Sequence, residues 1–542
     1  MKHQPSRWEK LRSEAIPLIW LCAGSLVMTL LMTVGMFVLI LAEGVTYYWP
    51  KPIVTVTLKD GTRLYGEIWE TERDKATDAI TRFLLAHGSR DRYGVAYRWI
   101  PARDVQQKIR SPLTIRIERF EWGPVFGRPV RVIRDNRVLL ESVDVQSAPF
   151  KAFFEQSRHQ LEQIRSLEKK IDAINDRLEW LNRKEARLKF RGIDLKTSPE
   201  AHRIQKERNE LHQTYEGLSA ELVHLREIAD ATRLVVDIGE KGTLELPFRS
   251  ILRIVPANQM RTFDKVRLYF TRWWELITHN PREANTEGGI FPAIFGTVAM
   301  VLIMTLIVVP LGVIAAVYLR EYARQNWWTR LIRIAVNNLA GVPSIVYGVF
   351  GVGFFIYFIG GWIDRRFFPE FLPTPTYGTG GILWASLTLA LLTVPVVIVA
   401  TEEALLAIPP DIRHGARALG ATQWQTVAHI ILPAALPGIM TGTILAVARA
   451  TGEVAPLMLT GVVKMAPDLP IDGTPPYVHL ERKFMHLGFH IYDVGFQSPD
   501  VEAAKPMVYN TTLLLLAIVI LLNIVALILR NRVRKRYAGR GI

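Results

Sequence analysis

The chain has 542 residues, a formal net charge of +15, one cysteine and 49% hydrophobic residues. The lone Cys22 excludes a disulfide scaffold and a cysteine-based zinc or iron–sulfur site, and the apolar content excludes a disordered chain. The apolar residues are concentrated in residues 16–42 and after about residue 289, whereas residues 51–281 are polar and charged. This segregation predicts a membrane protein with a large water-exposed block.

Six apolar stretches are long enough to cross a hydrocarbon layer about 30 Å thick, which needs about 20 residues per helix. The stretches are Ile16–Ala42, Phe291–Tyr318, Ala335–Ile359, Ile382–Ala400, Leu436–Val462 and Val508–Leu529. The first is longer than the apolar region of a signal peptide, which has about 7–15 residues, and no small-residue cleavage site follows it. We therefore interpret it as an uncleaved anchor in the lipid bilayer.

Basic residues flank these stretches and do not form one patch. The two end clusters are Lys2, Arg7, Lys10 and Arg12 at the start and Arg530, Arg532, Arg534, Lys535, Arg536 and Arg540 at the end. This distribution marks the cytoplasmic side of a membrane protein and argues against nucleic-acid binding. With six spans, we predict that both termini are cytoplasmic and that residues 46–289 lie outside.

Short alternating stretches after the first span predict β-strands. Ile53–Leu58 and Thr62–Ile68 flank Asp60-Gly61, which is a hairpin turn signal. Residues 84–105 and 234–252 share one pattern of strand, glycine-containing turn, strand, proline and short turn. The interpretation is a small β-barrel or sandwich in residues 46–149 and 233–281, which the shared pattern suggests is duplicated.

Residues 150–232, between these β-rich parts, show a different period. Two heptad series run through Ile164, Leu167, Ile171, Ile174, Leu178, Leu181 and Leu188 and through Ile204, Leu211, Tyr215, Leu218, Leu222 and Leu225. Gly192 lies between them, and Thr197 or Ser198 is the expected N-cap before Pro199. These features predict an antiparallel coiled-coil hairpin with arms of about 50 Å. Its charged faces are either simply solvated or dock a partner protein outside the membrane.

Residues 401–435 link the fourth and fifth predicted spans on the cytoplasmic side. Ile408, Ile412, Ala416 and Leu419 recur with helical spacing before Gly420 breaks the pattern, and a helix resumes at Thr422. We expect two short helices at the membrane surface, presented to something in the cytoplasm.

This link resembles the coupling loop of ABC-importer permeases, whose pattern is E-A-A, three residues, G, nine residues, then I-x-L-P. The matching positions are His414, Gly415, Ala416, Gly420, Ile430, Leu432 and Pro433. His414 and Gly415 depart from the pattern, because the family has Glu and Ala there. The resemblance implies that these seven residues couple the chain to an ATPase subunit.

Two further segments are similar to Pst-type phosphate permeases of the A-subunit kind. Residues 341–348 are G-V-P-S-I-V-Y-G and residues 449–457 are R-A-T-G-E-V-A-P-L. The resemblance covers residues 290–535 well and residues 16–45 weakly. It implies a mainly α, six-helix permease of the type I ABC-importer kind in a bacterial inner membrane. Residues 46–289 would then be periplasmic, and the block Lys51–Pro281 within them would be an insertion that the family does not explain. Val399 also departs, since many relatives have an arginine there.

The resemblance implies that the chain is half of the path of an ATP-driven phosphate importer. Its partners would be an ATPase dimer, a second permease of the C type, a periplasmic phosphate-binding protein and inorganic phosphate. No G-x-x-x-x-G-K-[ST] motif occurs in the sequence, so ATP hydrolysis is expected in the partner, and neither a cofactor nor a metal is predicted. The alternatives are an ABC permease for another solute and a membrane sensor or scaffold that works through the coiled coil.

Arg449 and Glu453 are the candidate path residues. We expect Arg449 near the middle of the fifth span, where a cation costs about 2.5–3.5 kcal/mol on insertion scales. Glu453 follows at i+4, which is close enough to pair on one helical face. Pro343, Pro395 and Pro456 are candidate helix breaks near an anion path. The pair either lines this path or only neutralises itself.

Overall fold

The computed structural model describes residues 16–538 except 136, 197, 474 and 499, and it leaves the side chains of residues 16–18, 284 and 536–538 undescribed. The basic cluster from Lys2 to Arg12, Arg540 and the candidate cap Thr197 therefore lie outside the described residues. Ser198 is the observed N-cap of the second hairpin helix.

Helices make up most of the described chain. They are α1 (Ile16–Tyr47), α2 (Arg90–Tyr93), α3 (Ala148–Phe190), α4 (Pro199–Ala231), α5 (Thr262–Thr278), α6 (Phe291–Val317), α7 (Trp327–Leu339), α8 (Ser344–Phe350), α9 (Gly361–Phe367), α10 (Ile382–Leu406), α11 (Pro410–Ala418), α12 (Gln423–Thr426), α13 (Leu432–Gly452), α14 (Ala455–Thr460), α15 (Leu487–Phe496) and α16 (Val501–Ala538). Three π-helical segments extend them at Tyr318–Tyr322, Gly351–Gly360 and Val427–Ile431.

Within the described residues, six helical stretches are long and apolar enough to cross a membrane, which confirms the predicted fold class. They are Ile19–Tyr47, Phe291–Tyr322, Ser344–Phe367, Ile382–Leu406, Gln423–Gly452 and Val501–Lys535. Helices α6, α10 and α13 form the core of this membrane part, where Met300, Leu389 and Ala446 are fully buried. We call the side of the membrane part that adjoins the β-strands the insert side.

The predicted bounds of the third and fifth spans are wrong. The third starts at Ser344 and not at Ala335, because Pro343 lacks a backbone N–H and separates α7 from α8. The fifth starts at Gln423 and ends at Gly452, so it is displaced from the predicted Leu436–Val462 toward the N-terminus. A continuous apolar run does not reveal where a helix ends inside it.

Two antiparallel sheets fill most of the block between α1 and α6. The strands are β1 (Ile53–Leu58), β2 (Arg63–Arg73), β3 (Ile80–Ala86), β4 (Tyr97–Pro101), β5 (Val105–Ile109), β6 (Ile115–Arg119), β7 (Val125–Arg134), β8 (Arg137–Glu141), β9 (Thr232–Asp237), β10 (Thr243–Pro247), β11 (Ile251–Val255) and the two-residue pair β12 (Pro281–Arg282) and β13 (Glu287–Gly288). The first sheet has the order β4-β3-β2-β1-β5, and the second has β10-β9-β7-β6-β11 with β8 beside β7.

The two sheets repeat one topology. Numbered within each module, both read 4-3-2-1-5, and in both a proline and a 3₁₀ turn join the fourth strand to the fifth, at residues 101–104 and 247–250. This repeat explains the pattern shared by residues 84–105 and 234–252. The helical hairpin is inserted between the second and third strands of the second module.

The hairpin has the predicted apolar seam. Leu181, Leu188 and Ile204 pack together near its tip, and Ile164, Leu167 and Leu222 pack together nearer its base. Gly192 has φ +72°, and the N–H of Ile193 donates to the carbonyl of Leu188 at 3.2 Å, which ends α3 in a glycine-dependent cap. Helix α3 has 43 residues, so it is about 65 Å long and exceeds the predicted 50 Å.

The hairpin also contacts the membrane part of the chain. Arg187, near the end of α3, lies 3.1 Å (Nε to Oε1) from Glu370, whose side chain is buried. The Arg187 guanidinium also faces the ring of Phe371 in the 3₁₀ turn Pro369–Phe371. The hairpin therefore bridges from the second β module to the loop between the third and fourth spans.

A buried charge network joins the β modules to the membrane part. Arg272 of α5 donates to the carbonyl of Tyr48 at 3.0 Å and pairs with Glu118 of β6. Burial opposes ionisation of Glu118, but Arg272 and Arg116 outweigh it and lower its pKa to about 2. Because α5, β6 and the end of α1 share these contacts, the second module is fixed to the first span.

Glu287 lies near this network, but its pKa is raised, in contrast to that of Glu118. It lines two adjoining cavities that Arg116 and Tyr47 also line. Burial raises its pKa from 4.5 to about 7, although Arg116 and Arg282 act in the opposite direction. Its ionised form is thus disfavoured in the folded protein, so this residue lowers stability as the pH rises from about 4.5 through 7.

Replacement of Glu287 by glutamine should remove this pH-dependent penalty. We expect Glu287→Gln to raise the apparent melting temperature in detergent by about 2–6 °C at pH 8 and to leave it nearly unchanged at pH 4, where this carboxyl is protonated in both the folded and the unfolded chain. The control Glu141→Gln changes an exposed strand carboxylate and should have no effect at either pH. An equal gain from Glu287→Gln at both pH values would contradict the assignment.

Candidate functional site

The candidate site lies where the fifth span breaks. Helix α13 ends at Gly452, Glu453 is extended with ψ 136°, and α14 begins at Ala455. Arg449 is therefore in the last turn of α13, immediately before the break, and not inside a continuous helix. The break also means that Arg449 and Glu453 do not share one continuous helix.

Arg449 and Glu453 nevertheless approach each other. The Arg449 Nε lies 3.5 Å from Glu453 Oε1, and the two side chains are 35% and 21% exposed. The ion pair is loose and partly open to its surroundings. The guanidinium consequently retains N–H groups that can donate to another acceptor.

The two signature segments of the sequence meet at this break. A Cβ added to Gly348 would lie only 2.8 Å from the Cα of Pro456, so α8 and α14 approach to backbone contact. Tyr347 and Leu457 are buried in the same core as Ala450. The segments 341–348 and 449–457, about 100 residues apart in the chain, therefore form one packed unit beside Arg449.

The three candidate proline breaks behave differently. Pro343 precedes α8, and Pro456 is in the first turn of α14, so each begins a helix after an interruption. Pro395 lies inside the continuous helix α10, and the expected break there is wrong. A proline alone does not determine whether a helix is interrupted, because contacts with neighbouring helices can stabilise a span that contains a proline.

The link after the fourth span is shorter than residues 401–435. Helix α10 continues to Leu406, and the fifth span already begins at Gln423. Only α11 is a separate short helix, since the second expected helix continues through a π-helical segment into α13. Ile430, Leu432 and Pro433 are consequently part of the fifth span. We call residues 407–422 the coupling segment.

Three of the four residues that recur with helical spacing in the coupling segment are buried or half-buried, and one is not. Ile408 and Ala416 are buried, and His414 and Gly415 are exposed. Leu419 is 91% exposed and does not belong to the buried face. Trp424, just beyond the segment, is 66% exposed, and the sequence reasoning missed it as a surface residue.

Gly420 marks the turn of the coupling segment. It has φ +85°, a region that L-residues rarely adopt, and its N–H donates to the carbonyl of Arg417 at 2.9 Å. Thr422 then caps the next helix through Gln425. The glycine thus ends α11 and allows the chain to reverse into the fifth span.

An ion pair that the sequence did not reveal holds α11 in place. Arg413 lies 2.9 Å (Nη2 to Oε1) from Glu321 at the end of the second span, and both side chains are largely buried. Arg413 also donates to the carbonyls of Leu405 and Ile408 at 2.7 Å each. The coupling segment is therefore fixed to the second and fourth spans. The pair is 92 residues apart, so no local pattern signals it.

These features define a helical, multi-span membrane protein with an interrupted span and a clamped surface helix between two spans. Within the described residues, no group of three or more His, Cys, Asp or Glu side chains could hold a metal ion. Residues 308–469 match the model of the family described as the binding-protein-dependent transport system inner membrane component.

Curated relatives extend this match. The chain is 33% identical over 238 residues to the probable ABC transporter permease protein YqgI of Bacillus subtilis, covering 42% of this chain and 74% of the relative. It is 38% identical over 188 residues to the phosphate transport system permease protein PstA of Yersinia pestis, covering 34% of this chain and 58% of the relative. It is 35% identical over 190 residues to PstA 1 of Mycobacterium tuberculosis, covering 34% and 56%.

The chain belongs to this family of multi-pass inner-membrane ABC transporter permeases, and its resemblance to the PstA type is confirmed. It spans less than two thirds of the length of both PstA relatives. Among solved structures, a MetNI methionine ABC transporter in an inward-facing conformation has a TM-score of 0.34 at 20% identity, covering 48% of this chain and 98% of that one.

The contact between Gly348 and Pro456 can be tested directly. Gly348→Ala inserts a methyl group where no space exists, so we expect a loss of about 1–3 kcal/mol and a lower melting temperature in detergent. Gly353→Ala is the matched control, because nothing lies within 4 Å of a Cβ at that position. Equal stability of the two variants would show that α8 and α14 do not pack as described.

Proposed function

We propose that this chain is a permease subunit of an ATP-driven phosphate importer and forms half of its translocation path. The observation that carries the proposal is the packed unit of residues 341–348 and 449–457 beside Arg449. These segments resemble phosphate permeases, and several relatives are named as phosphate transport permeases. A C-type permease would supply the other half of the path.

The chemistry of the broken span suits an oxyanion. Phosphate carries one or two negative charges and needs N–H donors that replace its hydration. Arg449 offers paired donors in a fixed fork, which match an oxyanion better than a lysine ammonium does. Glu453 competes for the same guanidinium, so the anion is held only weakly and can leave, as conduction requires.

The coupling segment suits a docking role. Leu419 and Trp424 flank Gly420 and expose large apolar surfaces that water solvates poorly. The pair Arg413–Glu321 makes α11 rigid relative to the second span. An ATPase dimer that grips this surface would therefore transmit its movement to the spans, and the ATP would be hydrolysed in that partner.

The orientation follows from the same assignment. An ATPase on the coupling segment requires that side, with both chain termini, to be cytoplasmic. The insert side, with residues 46–289, is then periplasmic. A periplasmic phosphate-binding protein would approach this side, where the hairpin already contacts the loop at Glu370.

The path role predicts distinct phenotypes for substitutions of Arg449. Arg449→Gln should lose labelled phosphate uptake in vesicles at least about tenfold while the ATPase and the second permease still co-purify, because a neutral amide cannot replace the charged fork. Arg449→Lys should assemble and transport poorly, since it offers only a point charge.

The control for this series is Lys206→Gln, which removes an exposed charge on the hairpin. Sulfate is included as a competing anion, because competition equal to that of unlabelled phosphate would favour a permease for another solute. Full uptake by Arg449→Gln would exclude a path role, and failure of that variant to assemble would assign the pair to structure alone.

The turn at Gly420 predicts a second series. Gly420→Val places a β-branched residue at φ +85°, so we expect the turn to distort, ATPase recovery to fall and uptake to be lost. Gly420→Asn should retain more of both, since asparagine tolerates this region better. The measurement is the amount of ATPase that co-purifies with the tagged permease, alongside uptake. Normal docking by Gly420→Val would mean that the turn is not a docking element.

A further inference from the structure

Helix α5, which lies between the second β module and the second span, carries an unpartnered apolar stripe. Phe263, Phe270 and Trp274 are 76%, 65% and 66% exposed, and Val266 and Ile277 are exposed beside them. On a helix with 3.6 residues per turn these five residues occupy one face. We call them the α5 stripe. A solvated helix of a water-soluble domain would not present three large aromatic side chains together.

The opposite face of α5 is fully engaged. Leu268 and Leu276 are buried, and Arg272 is held by Tyr48 and Glu118. The helix therefore cannot rotate to bury the stripe without breaking this network. The stripe remains on the outside of the β modules in the folded chain.

The ends of two membrane spans contact α5, and these contacts fix its height relative to the spans. The ring of Tyr269 lies 6.0 Å from Trp49, and that of Trp273 lies 5.4 Å from Tyr48, both directly after the first span. At the other end of the helix, the N–H of Ile290 donates to the carbonyl of Leu276 at 2.8 Å, one residue before the second span begins. The insert-side ends of both spans thus adjoin the same helix.

We propose that the α5 stripe lies in the interfacial layer of the bilayer on the insert side, so that the β modules rest on the lipid surface. The occupant of the stripe is lipid because the stripe continues from the lipid-facing surface of α1, none of whose most apolar window is buried within the chain. Aromatic side chains at the ends of spans prefer this layer. The exposed Arg267 borders the stripe and can reach the phosphates of the headgroups.

The proposal does not depend on what the permease transports. It assigns to α5 the mode of an interfacial helix, which buries its apolar face about 5–10 Å into the headgroup and acyl boundary. Its contacts with both spans would hold the second β module at a fixed height above the membrane.

Quenching of a single fluorescent label tests the proposal. Cys22 is the only cysteine, so Cys22→Ser provides a background in which Phe270→Cys can carry an environment-sensitive bimane. The full-length protein is reconstituted in phosphatidylcholine–phosphatidylglycerol vesicles with the insert side outward. Doxyl-labelled lipid quenches from within the bilayer, and iodide quenches from the water.

Two control positions calibrate the signals. Phe190→Cys carries the same label at an exposed phenylalanine near the hairpin tip, and Leu30→Cys carries it on the lipid-facing first span. At position 270 we expect doxyl quenching at least about threefold stronger than at position 190, with iodide quenching weaker by a similar factor. Trp274→Cys should give the same result, which guards against one variant that fails to fold.

Iodide quenching at positions 270 and 274 as strong as at position 190 would overturn the proposal. Protection from both quenchers would overturn it as well, because the stripe would then be covered by protein and not by lipid.

Discussion

The membrane part depends on one backbone contact, in which Gly348 meets Pro456. Because neither side chain keeps the two helices apart, α8 and α14 lie close enough to share a core with α10 and α13. This contact requires the fifth span to end at Gly452, since a continuous helix would carry Pro456 away from α8. The interrupted helix in turn leaves Arg449 in the last turn of α13. The position of the candidate site thus depends on the absence of a side chain at Gly348.

Periodic features could be predicted from the sequence. The apolar stretches follow from a length of about 20 residues, the seam of the hairpin from a period of 3.5 residues and the β-strands from a period of 2 residues, and each is a local property. Glycine at position 420 likewise predicted a turn, because its conformational freedom is intrinsic to the residue. The α5 stripe has helical spacing too. It was not recognised from the sequence, because residues 51–281 are polar on average and conceal a short apolar face.

Contacts between distant residues could not be predicted. The pair Arg413–Glu321 spans 92 residues, and the pair Arg187–Glu370 spans 183, so no window of sequence contains either. Leu419 was placed on one helical face with Ile408 and Ala416 because of its spacing, yet α11 ends at Ala418 and the side chain is exposed. Ends of helices within apolar runs share this difficulty, because tertiary packing and not composition decides them.

The hairpin has a mechanical consequence. Its base is built into the second β module, which the Arg272 network ties to the first span, while its tip is tied to the loop before the fourth span. A packed pair of helices about 65 Å and 50 Å long resists bending more than a loop does. The chain is therefore closed into a ring of stiff segments on the insert side. Any separation of the third and fourth spans from the first must stretch this ring, rotate the hairpin about its base or release Arg187 from Glu370.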